Sequence, residues 1–228
     1  MNVSAVMPVC NGERYVAEAV ASVFAQSRVP DEFIAVDDGS TDSSAAILAR
    51  YPGIRLVSQA NAGCASARNR GVAAATGDVI AFIDQDDLWT PEHLARMLAV
   101  LEGDARVAFV ASALCNFLSP EMTSIPAGFD PRLLQYPQHG MGTNTLVVRR
   151  STFERVGPFD STMVPLDDSE WLLRAIDAGM HFVHLDEPLL RRRIHASNQS
   201  NLARDTPRLA SLMARALHAS LQRRRAVQ

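Results

Sequence analysis

The sequence contains no lysine; all 22 of its basic residues are arginine. That absence removes the mechanisms built on an amine: a Walker-type phosphate lysine, a Schiff-base lysine and a kinase-type lysine. Cysteine is scarce, and Cys10, Cys64 and Cys115 are too few and too scattered to build a disulfide framework or a zinc site. No long apolar run exists either. The longest, Val107 to Cys115, is broken by Ser112 and falls far short of the ~20 residues a membrane span needs. The N-terminus shows no basic segment leading into an apolar stretch, so no signal peptide is expected. A soluble, cytoplasmic protein is the expectation.

What is present is ordinary in amount and uneven in placement. The chain has 228 residues, which at ~100–200 per domain makes one large domain or two small ones. With 47% hydrophobic residues it can bury a core without staples. The formal net charge of −3 argues against a general nucleic-acid binder, which carries a basic field. From Arg191 onward there are 9 arginines and 1 aspartate, whereas the first 190 residues hold 13 arginines and 24 acids. An acidic body thus precedes a basic tail.

The first hundred residues alternate strand and helix patterns. Strands are expected at Val3–Met7, Phe33–Val36, Ile54–Val57 and Val79–Ile83, and helices at Arg14–Gln26, Ser43–Tyr51, Ala62–Ala75 and Pro91–Leu101. Such alternation implies βαβ units, a largely parallel sheet and a ligand site beyond the strands' carboxyl ends. The polar residues following the strands are Asn11 and Glu13, then Asp37 and Asp38, then Asn61, then Asp84, Asp86 and Asp87. Further on, Arg106–Leu114, Thr143–Val148 and Leu189–Ile194 read as strands, and Asp167–Ala178 and Pro207–Arg225 as helices. Asn116–Gly142, with four prolines and no periodicity, reads as a long loop of the kind that forms lids or binding elements.

Five segments carry candidate chemistry. In Ile83-Asp84-Gln85-Asp86-Asp87-Leu88-Trp89, three carboxylates within four residues repel each other unless a cation neutralises them. Mg2+ is typically held by one or two carboxylates plus substrate phosphates. The competing explanation is a cluster that caps the following helix. Val36-Asp37-Asp38-Gly39-Ser40-Thr41-Asp42 is by itself a turn and a helix cap. Asn61-Ala62-Gly63 precedes Ala67-Arg68-Asn69, whose arginine alone would be a solvated helix face. Leu166-Asp167-Asp168-Ser169-Glu170-Trp171-Leu172-Leu173-Arg174 starts a helix with acids, where the dipole favours them, and Glu170 can pair with Arg174. The last, Arg193-Ile194-His195-Ala196-Ser197-Asn198-Gln199-Ser200, contains a histidine that alone would be structural.

Taken in order, these segments resemble the family 2 glycosyltransferases, which have a GT-A fold. Val6-Met7-Pro8-Val9-Cys10-Asn11-Gly12-Glu13 is similar to their first-strand motif, with Cys10 where a tyrosine is commoner. The Asp37-Asp38 segment, the Asn61-Ala62-Gly63 segment with Arg68, Asn69 and Gly71, and the Asp84–Asp87 segment match later signatures, the last being the DxD motif. The resemblance is dense over residues 3–101, thins over 102–142, and returns at Gly157-Pro158-Phe159-Asp160, Asp167–Arg174 and His195–Ser200.

The resemblance implies a GT-A catalytic domain over residues 1–205, with a nucleotide-sugar half at 1–101 and an acceptor half at 102–205. A basic amphipathic helix follows at 206–228. It implies a metal-dependent, inverting transfer from a nucleotide-diphospho-sugar, most often a UDP-sugar, to an acceptor hydroxyl. Pro8, Val9, Asn11 and Glu13 would line the nucleotide pocket, and Asp37 or Asp38 would bind the uracil or ribose. Arg68 would approach the base or diphosphate. Asp84 would hold the ribose, and Asp86 would hold Mn2+ or Mg2+, with Asp84, Asp87 and His195 as further metal candidates. Asp168 would be the general base. Relatives often carry an aromatic where Ser169 stands, so the acceptor side lacks a large wall here. The acceptor class stays open among glycan, lipid-linked saccharide, peptide and small molecule.

In the last helix, Leu209, Leu212, Met213, Ala216, Leu217 and Leu221 share a face. Packing on the domain is the favoured reading, and peripheral contact with an anionic membrane is the alternative. No apolar span follows in this sequence, so a membrane-embedded polymer synthase is not the expectation. Other α/β enzymes fit less well. A dinucleotide-dependent dehydrogenase needs G-x-G-x-x-G after the first strand, where Pro8-Val9-Cys10-Asn11-Gly12-Glu13 stands. A nucleotidyltransferase would need a glycine-rich, basic loop at that place. A non-catalytic nucleotide-sugar-binding module would have no chemical need for both Asp86 and Asp168.

Overall fold

The apolar run near the N-terminus forms β1 (Val3–Val9), buried at all seven positions. Burial on both faces is what a parallel strand under helices on each side experiences. In the computed structural model, which describes residues 1–126, 129–198 and 207–226, β1 pairs in parallel with β2 (Glu32–Asp38) and β4 (Val79–Phe82), and β2 pairs with β3 (Ile54–Gln59). Helices α1 (Val16–Phe24), α2 (Ser44–Leu48) and α3 (Cys64–Ala74) connect them. α3 is rich in small residues because it lies very close to the sheet: a Cβ on Gly71 would stand 2.3 Å from Val6 Cγ1.

After β5 (Leu88–Trp89) and α4 (His93–Gly103), the chain adds β6 (Val107–Leu118), β7 (Gln138–His139), β8 (Leu146–Arg149) and β9 (His181–Ile194). All join one sheet in the order β3-β2-β1-β4-β8-β6-β9-β5, with β7 also on β6. The largely parallel sheet expected is found in the first four strands and in β6 with β9, while β8, β5 and β7 pair antiparallel. Two apolar clusters cover the faces, one around Val20, Ile83 and Leu94, the other around Phe82, Phe109 and Trp171.

The sheet cannot be flat. From β4 to β5 the order crosses four strand spacings, about 19 Å at ~4.8 Å each. Only residues 83–87 bridge that gap, and Asp87 N–H donates to Asp84 O at 3.2 Å, closing a turn. A turn holds its ends within ~7 Å, so the reach from Phe82 to Leu88 drops to about 17 Å. The β9–β5 edge must therefore curl over the carboxyl ends of the first strands.

Several elements differ from the sequence expectation. β6 runs on to Leu118, and the expected loop to Gly142 contains a 3-10 turn at Pro131–Leu134, capped by the Asp130 carboxylate, as well as β7. Thr143–Thr145 forms a 3-10 turn, so the next strand starts only at Leu146. A short helix, α5 (Arg150–Val156), was not expected, and β9 starts at His181 rather than Leu189. Downstream, α6 (Asp167–Asp177) matches, with Glu170 paired to Arg174 at 2.8 Å. The last helix, α7 (Pro207–Ala226), buries Leu212 and is tied to Asp177 of α6 by Ser220, Arg223 and Arg224. Met213, Leu217 and Leu221 stay exposed, so only part of its apolar face is covered. Among the described residues no helix is long and apolar enough to cross a membrane. Gln199, Ser200 and the 205/206 domain boundary lie outside the described residues.

Candidate active site

The carboxyl ends of β1 and β2, the turn after β4, the start of α6 and the segment after β7 enclose one cavity of about 910 Å3. Pro8, Val9, Asn11, Asp38, Arg68, Asp84, Asp86, Asp87, Asp168 and His195 all line it. Glu13 and Asp37 do not. The Glu13 carboxylate accepts from Ser43 N–H at 3.0 Å, ahead of α2, and Asp37 accepts from Ser40 N–H at 3.1 Å. Their place is in the loop scaffold.

The loops at the carboxyl ends of β1 and β2 are held by side-chain hydrogen bonds to neighbouring segments. Asp38 accepts from the N–H groups of Ala62 and Gly63, both at 2.8 Å, which fixes the entry to α3. Asn11 sits in the left-handed region, with φ 52°, and its side-chain Oδ1 accepts from Thr41 N–H at 2.8 Å. Asparagine tolerates that conformation better than most residues. Gln85 accepts from Cys10 N–H at 2.8 Å and donates to Cys10 O at 3.1 Å, so the middle residue of the acidic segment secures the end of β1.

Arg68 is the central link. It is buried, and its Nη1 donates to Asp167 Oδ2 and its Nη2 to Asp84 Oδ1, both at 3.0 Å. The solvated arginine expected from the third segment alone is instead a bridge between the two acidic segments. Burial pushes the Asp84 carboxyl above its ordinary range; Arg68 pulls it down and the Asp86 charge adds to the rise. Asp167 is raised in the same way, by burial, against the pull of Arg68. Cys64 opens α3, where a helix N-terminus favours a thiolate, yet burial pushes its thiol up to about 12 and keeps it protonated.

Asp86 Oδ2 is 2.8 Å from His195 Nε2, and His195 Nδ1 is 2.9 Å from Ser197 Oγ. Tyr15 packs on the His195 ring with centroids 4.8 Å apart. Asp87 also lines the cavity, and its oxygens accept from Arg193 N–H at 2.9 Å and Asn144 Nδ2 at 2.5 Å. Burial and the charges of Asp86 and Asp84 hold its carboxyl well above the ordinary range. In this structure both Asp87 oxygens are engaged by Asn144 and the Arg193 amide. The Asp86 carboxylate beside an imidazole, with Asp84 across the turn and Asp87 next to it, fits an open Mn2+ or Mg2+ site whose other ligands come from a substrate.

Across the cavity, Asp168 Oδ1 accepts from Ser169 N–H at 2.6 Å. Its Oδ2 accepts no hydrogen bond among the described residues, and a Cβ on Gly142 would come within 3.5 Å of it. Sequence reading missed Tyr15, Gln85, Asn144 and Arg193. The Arg193 guanidinium donates to Asp86 O at 2.9 Å and Glu18 at 2.7 Å, and lies over Tyr15 at 4.7 Å. The run of three arginines at 191–193 was the one available signal.

A curled mixed sheet with acids at its carboxyl ends and a second acid pair across the cleft is the GT-A architecture. The chain is similar to residues 1–349 of TarS from S. aureus, solved with UDP-GlcNAc, with a TM-score of 0.75 and 18% identity over 95% of this chain and 65% of that one. It is also similar to the mannosyltransferase PcManGT from Pyrobaculum calidifontis, solved with GDP-Man and Mn2+, with a TM-score of 0.67 and 20% identity over 98% of this chain and 72% of that one. The sequence pattern described as Glycosyl transferase family 2 matches residues 4–156, and the chain belongs to that family. An uncharacterized glycosyltransferase of Nostoc sp., alr2836, is 31% identical over 222 residues, covering 87% of this chain and 66% of the relative. The chain thus spans about two thirds of that relative's length.

Proposed function

We propose that the chain transfers a sugar from a nucleotide-diphospho-sugar, a UDP-sugar in the first instance, to an acceptor hydroxyl with inversion at the anomeric carbon. The observation that carries this reading is the Arg68 bridge, which sets Asp84 and Asp167 on two sides of one guanidinium and so brings both acidic segments to one cavity. Residues 1–101 frame the donor, with Pro8, Val9, Asn11 and Asp38 around the nucleoside and Asp84 at the ribose. Residues 102–205 frame the acceptor.

Asp168 is the general base. It takes the proton of the acceptor hydroxyl while that oxygen forms its bond to the anomeric carbon and the bond to the nucleoside diphosphate breaks on the opposite side. Asp86, with His195 beside it, would hold Mn2+ or Mg2+, which when bound offsets the negative charge of the departing diphosphate. Arg68 and Arg192, both in the cavity wall, supply the cationic surroundings that lysine cannot supply in this chain. The complexes of TarS with UDP-GlcNAc and of PcManGT with GDP-Man and Mn2+ support the donor class and the ion.

The test is a donor screen with Mn2+ followed by product analysis. UDP release supports sugar transfer, and pyrophosphate release would assign nucleotidyl transfer instead. Asp168→Asn is expected to keep donor affinity and lose ~10²–10⁴-fold in turnover, the usual contribution of a positioned base. Asp86→Ala is expected to lose the Mn2+-dependent part of donor binding by calorimetry. Near-normal turnover in Asp168→Asn would move the base to another residue.

A further inference from the structure

A second cluster of ligating side chains stands on the acceptor side, away from Asp86. β7 sets His139 opposite Ala113 of β6, and β9 sets His184 opposite Ala111. Residues directly opposite on paired strands share a face. The two alanines between them are small, so the imidazoles meet above β6 with ring centroids 4.8 Å apart, tilted by 47°.

A bulge brings the third group. Leu185 lies opposite Ser112 and Pro188 opposite Ala113, so Asp186 and Glu187 stand out of register. Bulges re-aim side chains. Glu187 turns to Arg96 of α4, and Asp186 turns to the two histidines. Its Oδ1 is 3.9 Å from His139 Nδ1 and 3.7 Å from His184 Nδ1. Both separations are too long for hydrogen bonds. They are near the ~3.4 Å that separates two ligands lying ~2.1 Å from a tetrahedral ion. One donor atom from each of the three residues lies within 4.8 Å of the others.

We propose that His139, His184 and Asp186 bind a divalent transition-metal ion of the zinc type, with water in the fourth position. Two imidazoles and one carboxylate suit zinc better than magnesium, which prefers oxygen alone. The ion ties β7 to β9 across β6. His139 and the Gly140-Met141-Gly142 segment after it line the cavity, so the tie fixes that wall. The site shares no residue with Asp86 and His195, and it does not depend on the sugar-transfer reading.

The experiment is a Zn2+ titration of the full chain by competition with a chromophoric chelator, repeated with Co2+ to read coordination from its visible absorption. His139 and Asp186 are 80% and 89% exposed at their side chains, so His139→Gln and Asp186→Asn leave the fold intact. The expected result is a zinc site with tetrahedral Co2+ absorption, weakened at least tenfold by either substitution and unchanged by His195→Ala. Equal zinc affinity in the wild type and in the double variant, whether tight or immeasurable, overturns the site, and so does loss of binding in His195→Ala alone. Every readout is metal binding, so the outcome is separate from that of the transfer assay.

Discussion

His93, at the start of α4, has no exposed surface. It stacks on Trp89 with centroids 4.7 Å apart, and its Nδ1 lies 3.1 Å from Leu189 O. Burial lowers its pKa to about 3, against a smaller upward pull from the Leu189 carbonyl. An unfolded histidine titrates near 6.5. Below that pH the unfolded chain takes up a proton that the folded chain refuses, so this residue's contribution is lost as pH falls from about 6.5 toward 3, at about 1.4 kcal/mol per pH unit. Asp87 works in the opposite sense, since a carboxyl raised by burial gains stability on acidification. The difference between wild type and His93→Gln isolates the histidine. Denaturant unfolding is expected to show it shifting by about 2 kcal/mol in the variant's favour from pH 6.5 to 5.0, and a pH-independent difference would mean that the ring protonates in place. At this scale the acids of the site were legible, because polar residues that follow buried strands face one edge. Their supports were not: Gln85 holds Cys10, 75 positions away, and Arg193 holds Glu18, 175 positions away. No local pattern records such pairs.

The elements show the same division. α3 has little apolar surface of its own and is held by proximity to β1 and β2 through Gly71. Gly71→Ala adds about 1 kcal/mol of helix propensity but sets a methyl 2.3 Å from Val6 Cγ1 and 3.4 Å from Val36 Cγ2. Overpacking of that kind costs about 1–3 kcal/mol. The net expectation is a loss of about 0–2 kcal/mol, a melting temperature lower by up to roughly 8 °C, and a raised value would show that α3 shifts away from the sheet to admit the methyl. The alternating elements of the first hundred residues were readable because each strand carries a short, mostly apolar run that ends in polar or turn residues. β9 was half hidden. Its first residues, His181 and Phe182, are exposed, and Asp186-Glu187-Pro188 looks like a break because the bulge places those residues outside the ladder. α5 was missed because seven residues with Ser151 and Thr152 inside give no helical periodicity.

On the scale of the molecule, the charge asymmetry has a structural meaning. The basic tail folds back on the acidic body, with Arg193 on Glu18 and Arg223 and Arg224 on Asp177. Arg68 does the same inside the cleft. Arg68→Met would leave Asp84 and Asp167 unpaired. Breaking a buried pair costs about 3–5 kcal/mol, with the lower end expected here because Asp84 keeps 30% of its side chain in water. The loss should be largest at pH 8 and smaller near pH 5, where the two carboxyls can protonate. Denaturant unfolding at both values checks this, and a loss under about 1 kcal/mol at pH 8 would mean that the acids find other partners.

The path of residues 83–89 over the top of the sheet also limits what can be recombined. The short β5 belongs by sequence to the first half and by pairing to β9, and Asp87 is held by Asn144 and the Arg193 amide from the second. A chimera joined at residue 102 would part both contacts. A graft meant to exchange acceptor preference between relatives has to carry the acidic crossover together with β9 as a single cassette.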